Sequence, residues 1–176
     1  MIHYTSNITM KITLIITASF ALHTVALSGP TSFAAPAKGA GQIEVRAYDP
    51  TALASRDVDA ALARAALANK RVIIVMGANW CHDSIALAGW FQTPRFAAML
   101  SPRYEVVYVD VGTPQTGQGR NLEIAKRFKA KPVKGTPTVL IVSPQGKLLN
   151  KNDAGSWRNA ESRGEDAVYR AFAEFS

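Results

Sequence analysis

The sequence predicts an α/β fold in which a central mixed sheet is sandwiched between helices. Three runs rich in valine, isoleucine and leucine have the length and composition of buried strands, and they lie at residues 71–76, 104–111 and 139–142. Segments with apolar residues at helical spacing precede, separate and follow these runs. Because strands that alternate with helices pack them on both faces of one sheet, we expect an α/β domain rather than an all-α or all-β fold.

The first half of the domain is predicted from local patterns. Its predicted elements are an edge strand at residues 43–48, a helix at 57–69, the strand at 71–76, a helix from 81 and a second helical segment to residue 100. Strict alternation of polarity indicates the edge strand. Asp57 or Ser55 is expected to cap the alanine-rich helix. Pro94 is expected to interrupt the later helix, because proline removes a hydrogen bond from a helix interior.

The second half is predicted to end in a hairpin and a helix. Its elements are the strand at residues 104–111, a loop at 112–119, a helix at 121–128, the strand at 139–142, a turn at 143–146, a strand at 147–149 and a helix at 165–175. Pro144 and Gly146 indicate the turn. Val168, Phe172 and Phe175 lie on one face of the last helix.

Residues 1–34 resemble an export signal. Lys11 is followed by an apolar run of 16 residues at positions 12–27, then by helix-breaking residues and small residues near Ala34. The alternative is a retained membrane anchor, but the run is shorter than the ~20 residues of a typical span. We therefore predict a signal peptide at residues 1–34, a domain at 35–176, a periplasmic or secreted location, and no stable membrane span after cleavage.

The composition excludes several classes of function. Only Lys11 of the 20 basic residues precedes Ala35, and none of the 13 acidic residues does, which leaves a modest positive excess on the domain. Six cations lie between residues 120 and 134, and we interpret them as a solvated helix face and loop. Nucleic-acid binding is not expected for an exported domain, and Phe128 is the only aromatic residue among these cations. No cofactor is predicted.

Cys81 is the only cysteine of the sequence, and His82 is the only histidine of the predicted domain. One thiol cannot form an internal disulfide, although exported proteins usually carry them. One cysteine and one histidine cannot supply the ligands of a structural zinc site, so no metal is predicted. A hydrolase is poorly supported, since neighbouring residues of a helix point about 100° apart. Cys81 is therefore either inert and buried or exposed and reactive.

Three motifs lie at the ends of the predicted buried strands. The stretch Trp80-Cys81-His82-Asp83-Ser84 follows the strand at residues 71–76, Asp110 lies at the end of the next strand, and Gly135-Thr136-Pro137-Thr138 precedes the one after it. Taken together, these motifs resemble the thioredoxin superfamily over nearly all of the predicted domain, and the first resembles the W-C-H-D-S motif of a group of exported bacterial thioredoxin-like proteins.

The resemblance implies a thiol site at the start of a helix. Cys81 would be the reactive thiol, and its thiolate would be favoured by the helix N-terminus and by protonated His82, whereas Asp83 would oppose it. Pro137 would be cis and would place the Thr136 backbone beside Cys81. The resemblance also implies a substrate groove that contains Trp80, His82, Asp83, Thr136 and Pro137.

Two departures from the family pattern restrict the chemistry. Ser84 replaces the second cysteine that normally releases a mixed disulfide, although its hydroxyl is expected to donate a hydrogen bond to the Cys81 sulfur. Val75 occupies the position of the buried acid that many members have. The redox reaction that these departures leave possible is monothiol exchange through Cys81, with the Ser84 hydroxyl supporting the Cys81 thiolate. The expected partners are the thiols and disulfides of proteins or of glutathione.

Two hypotheses follow from this pattern. The first is an enzyme that reduces or isomerises protein disulfides, or removes glutathione from proteins, through one thiol. The second is a redox-inactive module that binds a peptide or a partner in the groove between Trp80 and Pro137. An exposed and acidic thiol would favour the enzyme, and a buried one would favour the module.

Overall fold

A three-stranded mixed sheet lies at the centre of the computed structural model, which describes residues 43–175. The elements are α1 (Ala54–Ala68), β1 (Arg71–Gly77), α2 (His82–Gln92), α3 (Pro94–Leu100), β2 (Tyr104–Asp110), β3 (Gly112–Thr113), a 3-10 turn (Pro114–Thr116), β4 (Gln118–Gly119), α4 (Glu123–Arg127), β5 (Thr138–Val142) and α5 (Glu165–Ala173). In the sheet, β1 pairs in parallel with β2 and antiparallel with β5. The predicted signal peptide lies outside the described residues. None of the helices at 43–175 is long and apolar enough to cross a membrane.

Helices cover both faces of the sheet, because alternate residues of β1 belong to different apolar clusters. Val72 and Ile74 pack in a cluster with residues of α1 and α4. Ile73 and Val75 pack in a second cluster with residues of α2, α3 and α5. Burial on both faces explains the continuous apolar sequence of β1. The arrangement confirms the predicted α/β sandwich with a central mixed sheet.

The predicted edge strand at residues 43–48 is wrong. Residues 43–49, which we call the N-terminal strap, cross helix α2 without forming a strand. Within the strap, the Val45 N–H donates to the Ile85 carbonyl at 3.2 Å. A Cβ atom at Gly89 would collide with the Ile43 carbonyl, so the absence of a side chain at Gly89 lets the strap approach the helix. Contact with α2 therefore replaces the pairing that the alternating sequence suggested.

The predicted strand at residues 147–149 is reduced to one bridge between Val142 and Leu148. Asn150, only 3% exposed, accounts for the short pairing. Its side chain accepts from the Ile141 N–H and donates to the Val139 carbonyl, both at 2.8 Å. Because this amide takes backbone groups that another strand would pair, the hairpin ends after one bridge.

Other boundaries differ at helix ends. Helix α1 has Leu53 as its N-cap with no side-chain hydrogen bond, so capping by Asp57 or Ser55 is wrong. Helix α4 is shorter than predicted, because Asn121 has a positive φ of 55° and its side chain donates to the Asp110 carbonyl. The predicted loop at 112–119 contains the small β3–β4 hairpin.

Candidate active site

Cys81 occupies the N-cap of α2, directly after the turn that follows β1. Its carbonyl accepts from the N–H groups of Ser84 at 3.0 Å and Ile85 at 3.1 Å, which closes the first turn of the helix. The first N–H groups of a helix have no partner within it, and the helix dipole adds positive potential there. This end of α2 therefore favours negative charge beside the Cys81 side chain, which is 9% exposed.

The turn before β5 lies against this thiol. The Cys81 Sγ donates to the Thr136 carbonyl at 3.4 Å, and the Thr136–Pro137 peptide bond is cis. Thr136 is buried, and its side-chain hydroxyl has no hydrogen-bond partner among the described residues. The structure thus brings Cys81 close to Thr136 and Pro137, although Thr136 lies 55 residues after Cys81 in the sequence.

Trp80 lies beside the thiol with its side chain half-exposed. Its indole N–H donates to the Gly112 carbonyl at 3.1 Å. Gly112 has a positive φ of 59°, and its N–H donates to the Asp110 carboxylate at 3.0 Å. Arg120 approaches the same carboxylate at 3.3 Å. Asp110, which ends β2, therefore shapes the turn whose Gly112 carbonyl holds the Trp80 indole. Part of that indole stays exposed to solvent.

The predicted hydrogen bond between Ser84 and the Cys81 sulfur is not present. Ser84 is fully buried, and its hydroxyl has no hydrogen-bond partner among residues 43–175. It lies on the inner side of α2 near Gly77, where an added Cβ would lie 2.7 Å from the Ser84 hydroxyl. Burial of an unpaired hydroxyl is unfavourable, so Ser84 fills the position of a second thiol without gaining a polar partner there.

Tyr48 and Asn79 form a part of the site that sequence reasoning missed. The Tyr48 hydroxyl donates to the Ser84 carbonyl at 3.1 Å. Asn79 accepts from the Tyr48 N–H at 3.1 Å and donates to the Tyr48 carbonyl at 2.7 Å. The strap is therefore fixed to the turn just before Trp80 and to the first turn of α2. Gly89 was the available signal, because a glycine inside an apolar helix indicates close approach of another backbone.

Val75, at the position where many members of the family have a buried acid, is fully buried in the second cluster. No acidic side chain takes the place of that acid there. Tyr108 lies opposite Val75 on β2, and its ring contacts Tyr48 edge-on with 5.5 Å between centroids. Burial raises the pKa of Tyr108 to about 12, and burial also raises the pKa of Tyr48 well above 10. Both phenols are therefore protonated at neutral pH and cannot take a proton from Cys81.

His82 and Asp83 have partners away from the sulfur. The His82 Nδ1 lies 3.5 Å from the Glu44 carboxylate of the strap, and the His82 side chain is largely exposed. The Asp83 carboxylate accepts from the Glu161 N–H at 2.8 Å and so fixes the chain before α5. The structure shows both residues joining the site to neighbouring segments, and their predicted contact with substrate stays a prediction. Among residues 43–175, no three His, Cys, Asp or Glu side chains cluster as metal ligands would.

Comparisons with known proteins agree with this geometry. Residues 51–144 match the family described as Thioredoxin-like. The fold is also similar to the crystal structure of a disulphide isomerase from Xylella fastidiosa Temecula1, with a TM-score of 0.66 and 32% identity, over 73% of this chain and 95% of that one. No curated protein matches the chain. The family match, the structural match and the position of Cys81 beside Pro137 together show that this chain belongs to the thioredoxin-like family.

Proposed function

We propose that this protein performs monothiol–disulfide exchange on proteins through Cys81. The observation that carries the proposal is the position of the Cys81 Sγ at the N-terminus of α2 and 3.4 Å from the Thr136 carbonyl. The 176-residue sequence contains no other cysteine, so any disulfide of Cys81 must include a sulfur from another molecule. Thiol–disulfide exchange is the reaction that this arrangement supports best.

The chemistry requires one thiolate. The Cys81 thiolate attacks one sulfur of a substrate disulfide, forms a mixed disulfide, and releases the other substrate sulfur as a thiolate. In isomerisation, a second thiolate of the same substrate then attacks the mixed disulfide, forms a new substrate disulfide and returns Cys81 as a thiolate. No net oxidant or reductant is consumed. In reduction, one external thiol such as glutathione attacks the Cys81 sulfur and releases the reduced substrate, and a second then frees Cys81 as glutathione disulfide forms. In deglutathionylation, Cys81 takes the glutathione from the protein, and one external glutathione frees Cys81 in the same way.

Two neighbours of Cys81 are suited to hold the substrate chain. Trp80 offers a half-exposed indole, and the Thr136 backbone lies beside the sulfur, where an extended chain can pair with it. The related disulphide isomerase supports isomerisation as the preferred direction, since that reaction does not need the thiol that Ser84 replaces. Ser84 acts in this proposal as a buried packing residue and not as a partner of the sulfur.

The first test is to trap the mixed disulfide of Cys81. Mixing the protein with a scrambled disulfide-bonded protein should give a covalent complex that dithiothreitol cleaves, because no internal thiol can resolve the intermediate. The complex should be absent for Cys81→Ser and present for the matched variant Ser84→Ala. Mass spectrometry of the trapped complex identifies the linked cysteines. Complex formation by Cys81→Ser, or none by the unmodified protein, would contradict the proposed function.

Burial of the Cys81 thiol favours a second candidate function, a redox-inactive peptide-binding module. The side chain is 9% exposed, and its thiol donates to a backbone carbonyl. In that case extended peptides should bind the Cys81→Ser variant as tightly as the unmodified protein, and alkylation of Cys81 should be no faster than that of an unstructured cysteine peptide. Alkylation of Cys81 faster than that of the peptide, together with covalent trapping of a substrate, would instead assign thiol–disulfide exchange to this protein.

The proposed location is the periplasm, with residues 1–34 as signal peptide and 35–176 as the mature domain. The support is the charged, apolar and small-residue order of residues 11–35, and exchange reactions suit a compartment in which disulfides form. N-terminal sequencing of protein purified from its host should give a start near Ala35. Recovery of Met1 or Met10 in a membrane fraction would indicate an anchor.

A further inference from the structure

A basic cleft of about 460 Å³ adjoins the turn that holds Thr136. Its lining residues come from the segment before β5, from β5 and from the chain that follows it. The charged members are all cations with exposed side chains: Lys131, Lys134, Lys151 and Arg158. No acidic residue lines the cleft. The cleft therefore presents four positive charges from two distant parts of the sequence on one surface.

This cleft is adjacent to the reactive thiol. Gly135 lines it and directly precedes Thr136, whose carbonyl accepts from the Cys81 thiol. Since consecutive Cα atoms are about 3.8 Å apart, the Gly135 Cα lies within about 10 Å of the sulfur. A Cβ built on Gly135 would lie 2.7 Å from the Arg158 Cδ, so the stem of Arg158 packs directly over this glycine. A chain bound at Cys81 can thus extend into the cleft within a few residues.

The four cations have no ion-pair partner among residues 43–175, in contrast to several cations elsewhere in the domain. Arg64 pairs with Glu105, and Arg95 pairs with Asp166. The wall that carries Lys151 and Arg158 is nevertheless well fixed, because Trp157 stacks on Phe172 with 4.6 Å between ring centroids. Unneutralised charges on a fixed wall are suited to attract an anionic ligand.

We propose that the cleft binds an acidic polypeptide segment next to the disulfide that Cys81 attacks. This inference rests on the proposed exchange function and adds a substrate class to it. Carboxylates of aspartate and glutamate complement the lysine and arginine side chains. The lining contains no aromatic residue on which nucleic-acid bases could stack, which favours a polypeptide over a single-stranded nucleic acid. The recognised substrates are proteins whose cystines lie beside acidic residues.

The test compares two disulfide-bonded peptides of equal length, one with aspartate and glutamate around the cystine and one with asparagine and glutamine. The rate of adduct formation with Cys81 should be about tenfold higher for the acidic peptide at about 20 mM salt, and nearly equal for both at about 500 mM, because salt screens exposed charges. The double variant Lys134→Gln/Arg158→Gln should remove most of the preference. The control Lys126→Gln/Lys147→Gln also loses two positive charges, but outside the cleft, and should keep the preference for the acidic peptide. Equal rates at low salt, or equal losses in both double variants, would overturn the proposal.

A binding measurement separates this inference from the exchange chemistry. The Cys81→Ser protein is titrated with a fluorescent acidic peptide in which serine replaces both cysteines. Salt-sensitive binding that depends on Lys134 and Arg158 supports the cleft, even where no adduct forms and the exchange function fails. A nucleic-acid oligonucleotide of equal charge that binds at least as tightly, or glutathione disulfide that reacts faster than the acidic peptide with the same dependence on Arg158, would overturn the assignment to polypeptides.

Discussion

Replacement of Ser84 by cysteine is expected to raise the steady-state rate of protein disulfide reduction at least about tenfold, with dithiothreitol as the electron source. In the proposed reaction, only a thiol of another molecule can resolve the mixed disulfide of the unmodified protein. A thiol introduced at position 84 would attack the sulfur of Cys81, release the reduced substrate and leave an internal disulfide between Cys81 and the introduced thiol. Dithiothreitol then reduces this disulfide and becomes oxidised. Insulin reduction, followed by turbidity, measures the rate.

The geometry of α2 supports this expectation. The Ser84 N–H donates to the Cys81 carbonyl at 3.0 Å, so both residues belong to one helical turn. Residues three apart on a helix lie on neighbouring positions, within the Cα distances that disulfides accept. The Ser84 hydroxyl is buried without a partner, and a thiol is a weaker hydrogen-bonding group. We therefore expect Ser84→Cys to change the free energy of unfolding by no more than about 1 kcal/mol.

Ser84→Ala is the matched control, because it removes the same hydroxyl without supplying a thiol. Its reduction rate should stay at that of the unmodified protein. Mass spectrometry should also show that oxidised Ser84→Cys loses two hydrogens, as an internal disulfide requires. A double-cysteine protein that forms this bond and yet reduces insulin no faster would show that resolution of the mixed disulfide does not limit turnover.

The sequence predicted the centre of the site because that centre depends on local signals. A buried strand, a tryptophan–cysteine pair and a helix follow one another directly, and they place Cys81 at the N-cap of α2. The position of Thr136 beside the thiol, where the structure has it, was implied by the resemblance of the Gly-Thr-Pro-Thr stretch to the family's cis-proline turn. The strand, the tryptophan–cysteine pair and the helix start are encoded within about ten residues, whereas the contact across 55 residues came from that resemblance.

The missed features depend on contacts between distant segments. The strap alternates in polarity as an edge strand would, and only its contact with Gly89 and Asn79 shows that it lies on α2 instead. Asn150 shortens the final hairpin by bonding to β5 backbone groups, which no pattern at residues 147–149 indicates. In the same way, the cations at residues 131 and 134 suggested a solvated loop until the structure placed Lys151 and Arg158 beside them.

Gly89→Ala is expected to destabilise the fold by about 2–4 kcal/mol, the range of substitutions that disrupt buried packing. The direction of this change in stability is informative, because alanine is favoured over glycine in a helix interior by about 1 kcal/mol. Gly89 lies inside α2, so helix propensity alone would make the variant more stable. The collision of its Cβ with the Ile43 carbonyl reverses that expectation, since a backbone atom cannot rotate away as a side chain can.

Displacement of the strap has consequences beyond residue 43. Tyr48 is fully buried, and its hydroxyl bond to the Ser84 carbonyl and its pair of bonds with Asn79 require the strap to stay in place. Loss of these contacts accounts for the size of the expected effect. Urea unfolding of Gly89→Ala and of the control Gly155→Ala, where an added Cβ meets no atom within 4 Å, measures it. If Gly89→Ala is as stable as the unmodified protein, the strap does not pack on α2 in solution and does not support the Cys81 turn.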